Sequence, residues 1–262
     1  MHQPLHRVSD RHLWGLGLAA GSQHISAAEV HGHLIVAADG LQRVRLVCDC
    51  QEVEMSRSYD LYDGLARALD IVGDRWNLLI VRQLLVAAAR YGELLDQLPG
   101  VSTNLLADRL RDLEAAGVVA RRLAEEANSV VYTLTPWGAE LRGVIEGLIR
   151  WSTPLMVSGA AGDHFRLEWL AVALPALLNG RAAATNRSST VGLAIDGELV
   201  EVRATSAGID VRLGTDRALD AVVRADASII FGLAAGVLAV EEVLEFADVE
   251  GDEAAVRAVF GA

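Results

Sequence analysis

Apolar residues recur at helical spacing from Leu61 onward: Leu65, Leu69 and Val72, with a break at Gly73. Asp74 is placed to cap a second helix, whose apolar face carries Leu78, Leu79, Val81, Leu84 and Leu85. A short helix is predicted over 90–98, ended by Pro99-Gly100. Ser102 then caps a helix over 103–116, which Gly117 stops. Two stretches rich in β-branched residues follow, 118–124 and 130–134, separated by a polar tip. Thr135-Pro136 opens a last helix reaching about residue 157, with proline in its first turn. Helix, turn, capped helix and hairpin in that order predict a winged helix-turn-helix, a device that places one helix in the DNA major groove.

The pattern changes after the small-residue stretch 158–162, which reads as a linker. A helix is predicted over 164–178. Alternating strands follow at 190–195 and 199–205, joined by Asp196-Gly197, a strong hairpin turn signal. A third strand is expected over 208–213 and a helix over 216–223. The end, 226–260, mixes a short strand, a glycine-broken apolar helix, another strand and a closing helix at 253–260. The fold class is therefore a mainly α winged helix-turn-helix domain followed by a small α+β domain, over 55–157 and 158–262 respectively.

Residues 1–54 differ in style. They hold six of the seven histidines and both cysteines, with short strand patterns at 33–39 and 43–49. His31, His33, Cys48 and Cys50 could be weighed as metal ligands. Yet an HxH beside a CxC lacks the CxxC spacing of structural zinc sites, so no metal is expected. Met55 opens a stretch that reads as a natural start, so 1–54 is read as an extension, either disordered or not native.

Over half of the 262 residues are hydrophobic, enough for a core in each half. No apolar run reaches the ~18 residues of a membrane helix, and no secretory signal precedes a small-residue cleavage site. A cytoplasmic protein without membrane insertion is expected. Every basic side chain is arginine. The net charge of −12 argues against nucleic acid until it is divided: 158–262 carries 8 Arg against 16 acids, whereas 55–157 carries 11 against 13. A near-neutral domain can still present a local basic face.

On a helical wheel Thr103, Asn104, Ala107, Asp108 and Arg111 share one face, and Leu106, Leu110 and Leu113 share the opposite one. The polar face suits base edges: Asn for adenine, Arg for guanine, Thr for the thymine methyl. Ser102 and the helix N-terminus favour a phosphate. Asp108 either accepts from a cytosine amino group or holds Arg111 or Arg109, which lies at the flank. Arg121 and Arg122 open the wing and Asn128 and Ser129 lie near its tip, suited to phosphate or minor-groove contacts. Glu125 and Glu126 offset them and predict modest affinity.

The segments ARALDIVGDRWNLLIVRQLL, RYGELLDQLPGVSTNLLADRLRDLEAAGVV and VYTLTPWG make about 62–156 resemble the HxlR family of bacterial winged-helix transcriptional regulators. The resemblance implies a homodimer, with the first and last helices of the domain packing between subunits. It also implies a palindromic or near-palindromic double-stranded DNA operator. Many members carry a cysteine just before the ARAL-like stretch. Here Asp63 or Gly64 stands there and 55–157 has no cysteine, which excludes thiol sensing within that domain. More loosely, 163–261 resembles a sterol carrier protein type domain, through ADASI at 225–229, FGLAAG at 231–236 and VEGDEAAVRAVF at 249–260. That resemblance implies an apolar tunnel for a lipid or other hydrophobic small molecule, with Leu170, Leu174, Ile230, Phe231, Leu233 and Val237 as candidate lining.

No GxSxG, HExxH, Walker loop or GxGxxG occurs, so neither an enzyme nor a cofactor is expected. His164, beside Asp163, reads as a helix-start residue. The sequence therefore points to a DNA-binding regulator responsive to a hydrophobic ligand. The alternative is a lipid carrier that uses its winged helix for dimerisation or protein contacts.

Overall fold

The computed structural model describes residues 34–39, 43–48, 58–124, 129–156, 162–179, 189–206 and 208–261. β1 (Leu34–Asp39) and β2 (Arg43–Cys48) pair antiparallel within a first unit, Met1–Gln51. His31, His33 and Cys50 lie outside the described residues. Among the described residues no group of three or more His, Cys, Asp or Glu could hold a metal ion. No described helix is long and apolar enough to cross a membrane.

The second unit, Glu52–Ala262, opens with α1 (Gly64–Val72), capped by the Asp63 carboxylate, which accepts from the Ala66 N–H at 2.9 Å. Then come α2 (Asn77–Val86), α3 (Tyr91–Gln97) and α4 (Thr103–Ala115). The wing is β3 (Val119–Ala124) paired antiparallel with β4 (Ser129–Leu134). Asp74 does not cap α2 with its side chain as its position suggested. Its backbone carbonyl accepts from the Asn77 N–H, and its carboxylate is taken by Arg109 of α4. The last helix is also broken, into α5 (Pro136–Ala139) and α6 (Leu141–Met156). The Thr135 hydroxyl donates to the Gly117 carbonyl and accepts from the Gly138 N–H, pinning α5 to the foot of the wing. A β-carbon at Gly138 would collide with the Val118 carbonyl oxygen, so only glycine fits that close approach.

Ile80, Val81, Leu94, Leu98, Leu106, Leu110 and Leu113 form the core of this half. Ala89 bridges to Tyr132 through a pair of backbone bonds of 3.1 and 2.8 Å, tying the residues before α3 to the wing.

Beyond it, a 3₁₀ turn (Leu167–Trp169) leads into α7 (Leu170–Leu178). Strands β5 (Ser189–Ile195), β6 (Glu198–Thr205), β7 (Gly208–Leu213), β8 (Ala221–Arg224) and β9 (Asp248–Gly251) build one sheet in the order β7-β6-β5-β8-β9. All neighbours are antiparallel except β5 and β8. Asp196 (φ 51°) and Gly197 (φ 82°) both adopt the left-handed conformation that a tight type I′ hairpin turn needs. The helices α8 (Ala227–Ala235), α9 (Val240–Phe246) and α10 (Glu253–Phe260) complete this half, and α8 stops at the left-handed Gly236.

The helix expected over 216–223 is absent. Asp220 instead clasps Thr190, its carboxylate accepting from the Thr190 N–H and its own N–H donating to the Thr190 carbonyl. That clasp launches β8 into the sheet, where Ala221 and Val223 turn into the core and β-branched Val222 and Val223 suit the pleated backbone.

α7 is apolar on every side and belongs to both halves. Leu170, Leu174 and Leu178 pack with the sheet, whereas Val172, fully buried, packs into the winged-helix core. Polar contacts reinforce the junction. The Trp169 indole donates to Gln83 of α2 at 3.2 Å, and Arg150 of α6 donates to the Ala176 carbonyl at 3.1 Å. Arg82 of α2 lies over the Trp169 ring at 4.1 Å. Burial lowers the Arg82 pKa to about 10, with the charge of Glu168 opposing the shift, so the guanidinium stays charged at neutral pH.

Candidate nucleic-acid interface

α4 forms where the sequence places it because the Ser102 hydroxyl accepts from the Leu105 N–H at 3.3 Å, satisfying one of the free donors of its first turn. Leu106, Leu110 and Leu113 are buried, which turns the opposite face outward. On that face Ser102, Thr103, Asn104, Asp108 and Arg111 are exposed and Ala107 is half-buried. Asp108 holds Arg111, with the guanidinium donating to Oδ1 at 3.0 Å.

Arg109 departs from the expected DNA-facing set. It pairs with Asp74 and, at 3.2 Å, with Asp112, and its side chain is only 19 % exposed. From the helix flank it reaches back to the α1–α2 turn and fixes α4 to the body of the domain. The wing is altered in a similar way. Arg121 donates to Glu114 of α4 at 2.8 Å, and that hydrogen bond, followed by the charge of Glu114, raises its pKa further. The Ser129 hydroxyl is buried rather than presented at the tip. Arg122 is exposed and has no carboxylate partner among the described residues, as a phosphate contact requires. Asn128, Glu125 and Glu126 lie outside the described residues.

Three residues join the site that the sequence pattern did not single out. Tyr91 of α3 donates its hydroxyl to the Thr103 carbonyl at 2.5 Å, setting the start of α4 against α3. Arg90 directly follows Ala89, the residue bridged to the wing; its backbone N–H donates to the Glu93 carboxylate at 2.6 Å, while its exposed guanidinium forms no ion pair among the described residues. Arg75 is exposed and lies at 5.8 Å from the Trp76 ring, next to the Asp74 that grips α4. An arginine immediately before a helix was the available signal for Arg90, but only the bridge to Tyr132 places it beside the wing.

The candidate apolar-ligand residues are placed differently from expectation. Leu170, Leu174, Ile230 and Leu233 are fully buried and Phe231 nearly so, all within the close-packed core between sheet and helices. Val237 lies outside, exposed just beyond Gly236. Helical spacing of apolar residues marks a buried face, and here that face packs against the sheet.

Residues 71–158 match the model of the HxlR-like helix-turn-helix family. The HTH-type transcriptional regulator YodB of Bacillus subtilis is 36% identical over 86 residues, covering 32% of this chain and 77% of that protein. A second HTH-type regulator of the same organism, YvaP, is 38% identical over 88 residues, or 33% of this chain and 82% of its own length. The solved reduced form of YodB covers 38% of this chain and 99% of its own, at 31% identity and a TM-score of 0.33. These relatives are transcriptional regulators, not enzymes. A capped helix seated on three buried leucines, a wing bridged to the segment before α3, and relatives matched over most of their length lead to one conclusion: the chain belongs to the HxlR-like helix-turn-helix family of DNA-binding transcriptional regulators.

Proposed function

We propose that this protein is a cytoplasmic, homodimeric regulator that reads a near-palindromic operator with α4 and responds to a small molecule through its C-terminal half, an α+β fold of sterol carrier protein type. The observation that carries the DNA reading is the outward row of exposed Thr103, Asn104, Asp108 and Arg111 around half-buried Ala107, on a helix anchored by Leu106, Leu110 and Leu113. Asn104 and Arg111 are the base readers, and Arg122 and Arg90 hold phosphates. Support for the dimer comes from apolar side chains left facing water. Tyr62 and Leu65 at the start of the unit and Val144, Leu148 and Trp151 along α6 are all exposed, the last three at spacings of four and three. Support for responsiveness comes from α7, whose packing is shared by both cores, so a change on the sheet side reaches α2 directly.

Selection of bound duplexes from a random pool tests the reading. A single enriched motif with two-fold symmetry is expected, and a pool without enrichment would overturn it. On that motif Arg111→Ala is expected to cost ~1–3 kcal/mol of discrimination at one base pair per half-site. Equal weakening on all duplexes would make Arg111 a phosphate contact instead.

A further inference from the structure

A cleft of about 400 Å³ opens between the two halves, within the size range of small-molecule sites and at a seam where such sites concentrate. One wall is Pro99, in the turn between α3 and α4. Another is the segment entering α7, and the third is the β5–β6 hairpin. We propose that this cleft is the effector site and that it takes a small organic cation, an amine carried on an apolar body. The inference rests on the reading of the protein as a ligand-responsive regulator and names the site and ligand class for it.

The lining decides the ligand class. Leu167 and Ile195 are buried and Phe165 is half-buried, its ring held edge-on by Phe231 at 6.1 Å. They offer an apolar surface, with an aromatic ring that also favours a cation nearby. Arg166 is already committed: one guanidinium nitrogen donates to the Asp96 carbonyl at 2.5 Å and the other lies 3.6 Å from Glu168. Asp196 and Glu198 are exposed and have no cationic partner among the described residues. Besides His164, which is exposed on the same wall, the unpaired charge of the lining is two carboxylates, an excess that repels an anion and attracts an ammonium group. Both project from a tight turn whose backbone is set by Asp196 and Gly197, so the backbone adds little ordering cost on binding.

The cleft also touches the parts that position α4. Arg166 grips the last turn of α3, and Pro99 lies three residues before the Ser102 cap. An occupant that draws the hairpin and this turn together favours one setting of α4 over another, which is the differential contact that coupling requires.

Calorimetric titration of the full chain with phenethylamine, and with 3-phenylpropionate as the anion of similar body, tests the site without DNA. Saturable binding of the amine and none of the carboxylate is expected. Asp196→Asn with Glu198→Gln should lower amine affinity at least tenfold at unchanged Tm, since both residues are exposed and Asn tolerates the left-handed turn position. No saturable binding of the amine, or equal affinity in the double variant, would overturn the proposal. So would amine binding that leaves operator affinity unchanged. Amine binding by a chain that selects no operator would retain the site and sink the regulator reading instead.

Discussion

Trp151→Glu is expected to convert the protein to a monomer and to weaken operator binding by roughly 30- to 1000-fold, the about 2–4 kcal/mol typical of losing an interface anchor. Trp151 is 77 % exposed, in line with Val144 and Leu148 on a helix whose other side carries the buried Ile145. In the proposed dimer, two copies would bury this stripe against each other. Such a two-fold pair would present both α4 helices to successive turns of the groove. Sedimentation velocity reads the assembly state, and titration of labelled operator reads the affinity. A variant that sediments and binds like the parent protein would place the subunit contact elsewhere. Leu148→Glu should repeat the result, and Glu140→Gln, outside the stripe, should not.

Val172→Asp is expected to cost about 4 kcal/mol or more, because it places an unpaired carboxylate where exposure is zero. The more informative outcome concerns cooperativity. Val172 sits on the sheet-side helix but packs among Ile80, Val81 and Leu84. The parent protein should therefore unfold in one transition over the Glu52–Ala262 unit, with far-ultraviolet circular dichroism and tryptophan fluorescence coincident. The variant should separate the two signals as α7 releases from α2. Two resolved transitions in the parent protein would show that the halves are energetically independent.

The fold was legible wherever local chemistry decides the backbone. Ser102, Gly117 and Asp196-Gly197 each mark an end or a turn by a side-chain acceptor or a left-handed residue, and the elements they bound lie within a residue or two of expectation; Thr135-Pro136 marks the start of the last helix, which breaks after Ala139. It was not legible where a distant partner decides. Asp74 has the composition of a helix cap but is captured by an arginine 35 positions later. Ala221 to Arg224 has no strong strand pattern of its own and becomes a central strand through the Asp220–Thr190 clasp. The same distinction divides the candidate site. The face of α4 follows from helix periodicity and emerged from the sequence. The capture of Arg109 and Arg121 by carboxylates on other elements did not, nor did the position of Arg90 beside the wing. The apolar positions at 170, 174, 230 and 233 look alike as core or as cavity lining, and the packing of α7 and α8 on the sheet makes them core.

The pairing of arginines around α4 bears on how this protein searches a genome. Arg109, Arg111 and Arg121 each already hold a carboxylate. Random DNA offers Arg111 and Arg121 only an exchange of one anion for another, with little counterion release to drive it. If Arg111 reads a base as proposed, its exchange at the correct sequence adds base-edge bonds that the Asp108 carboxylate cannot supply. On the proposed reading of α4, Asp108 would act as a tethered decoy, shortening the time spent on wrong sites more than on the right one. A reading face whose arginines are paired in this way would gain selectivity while giving up residence on DNA at large.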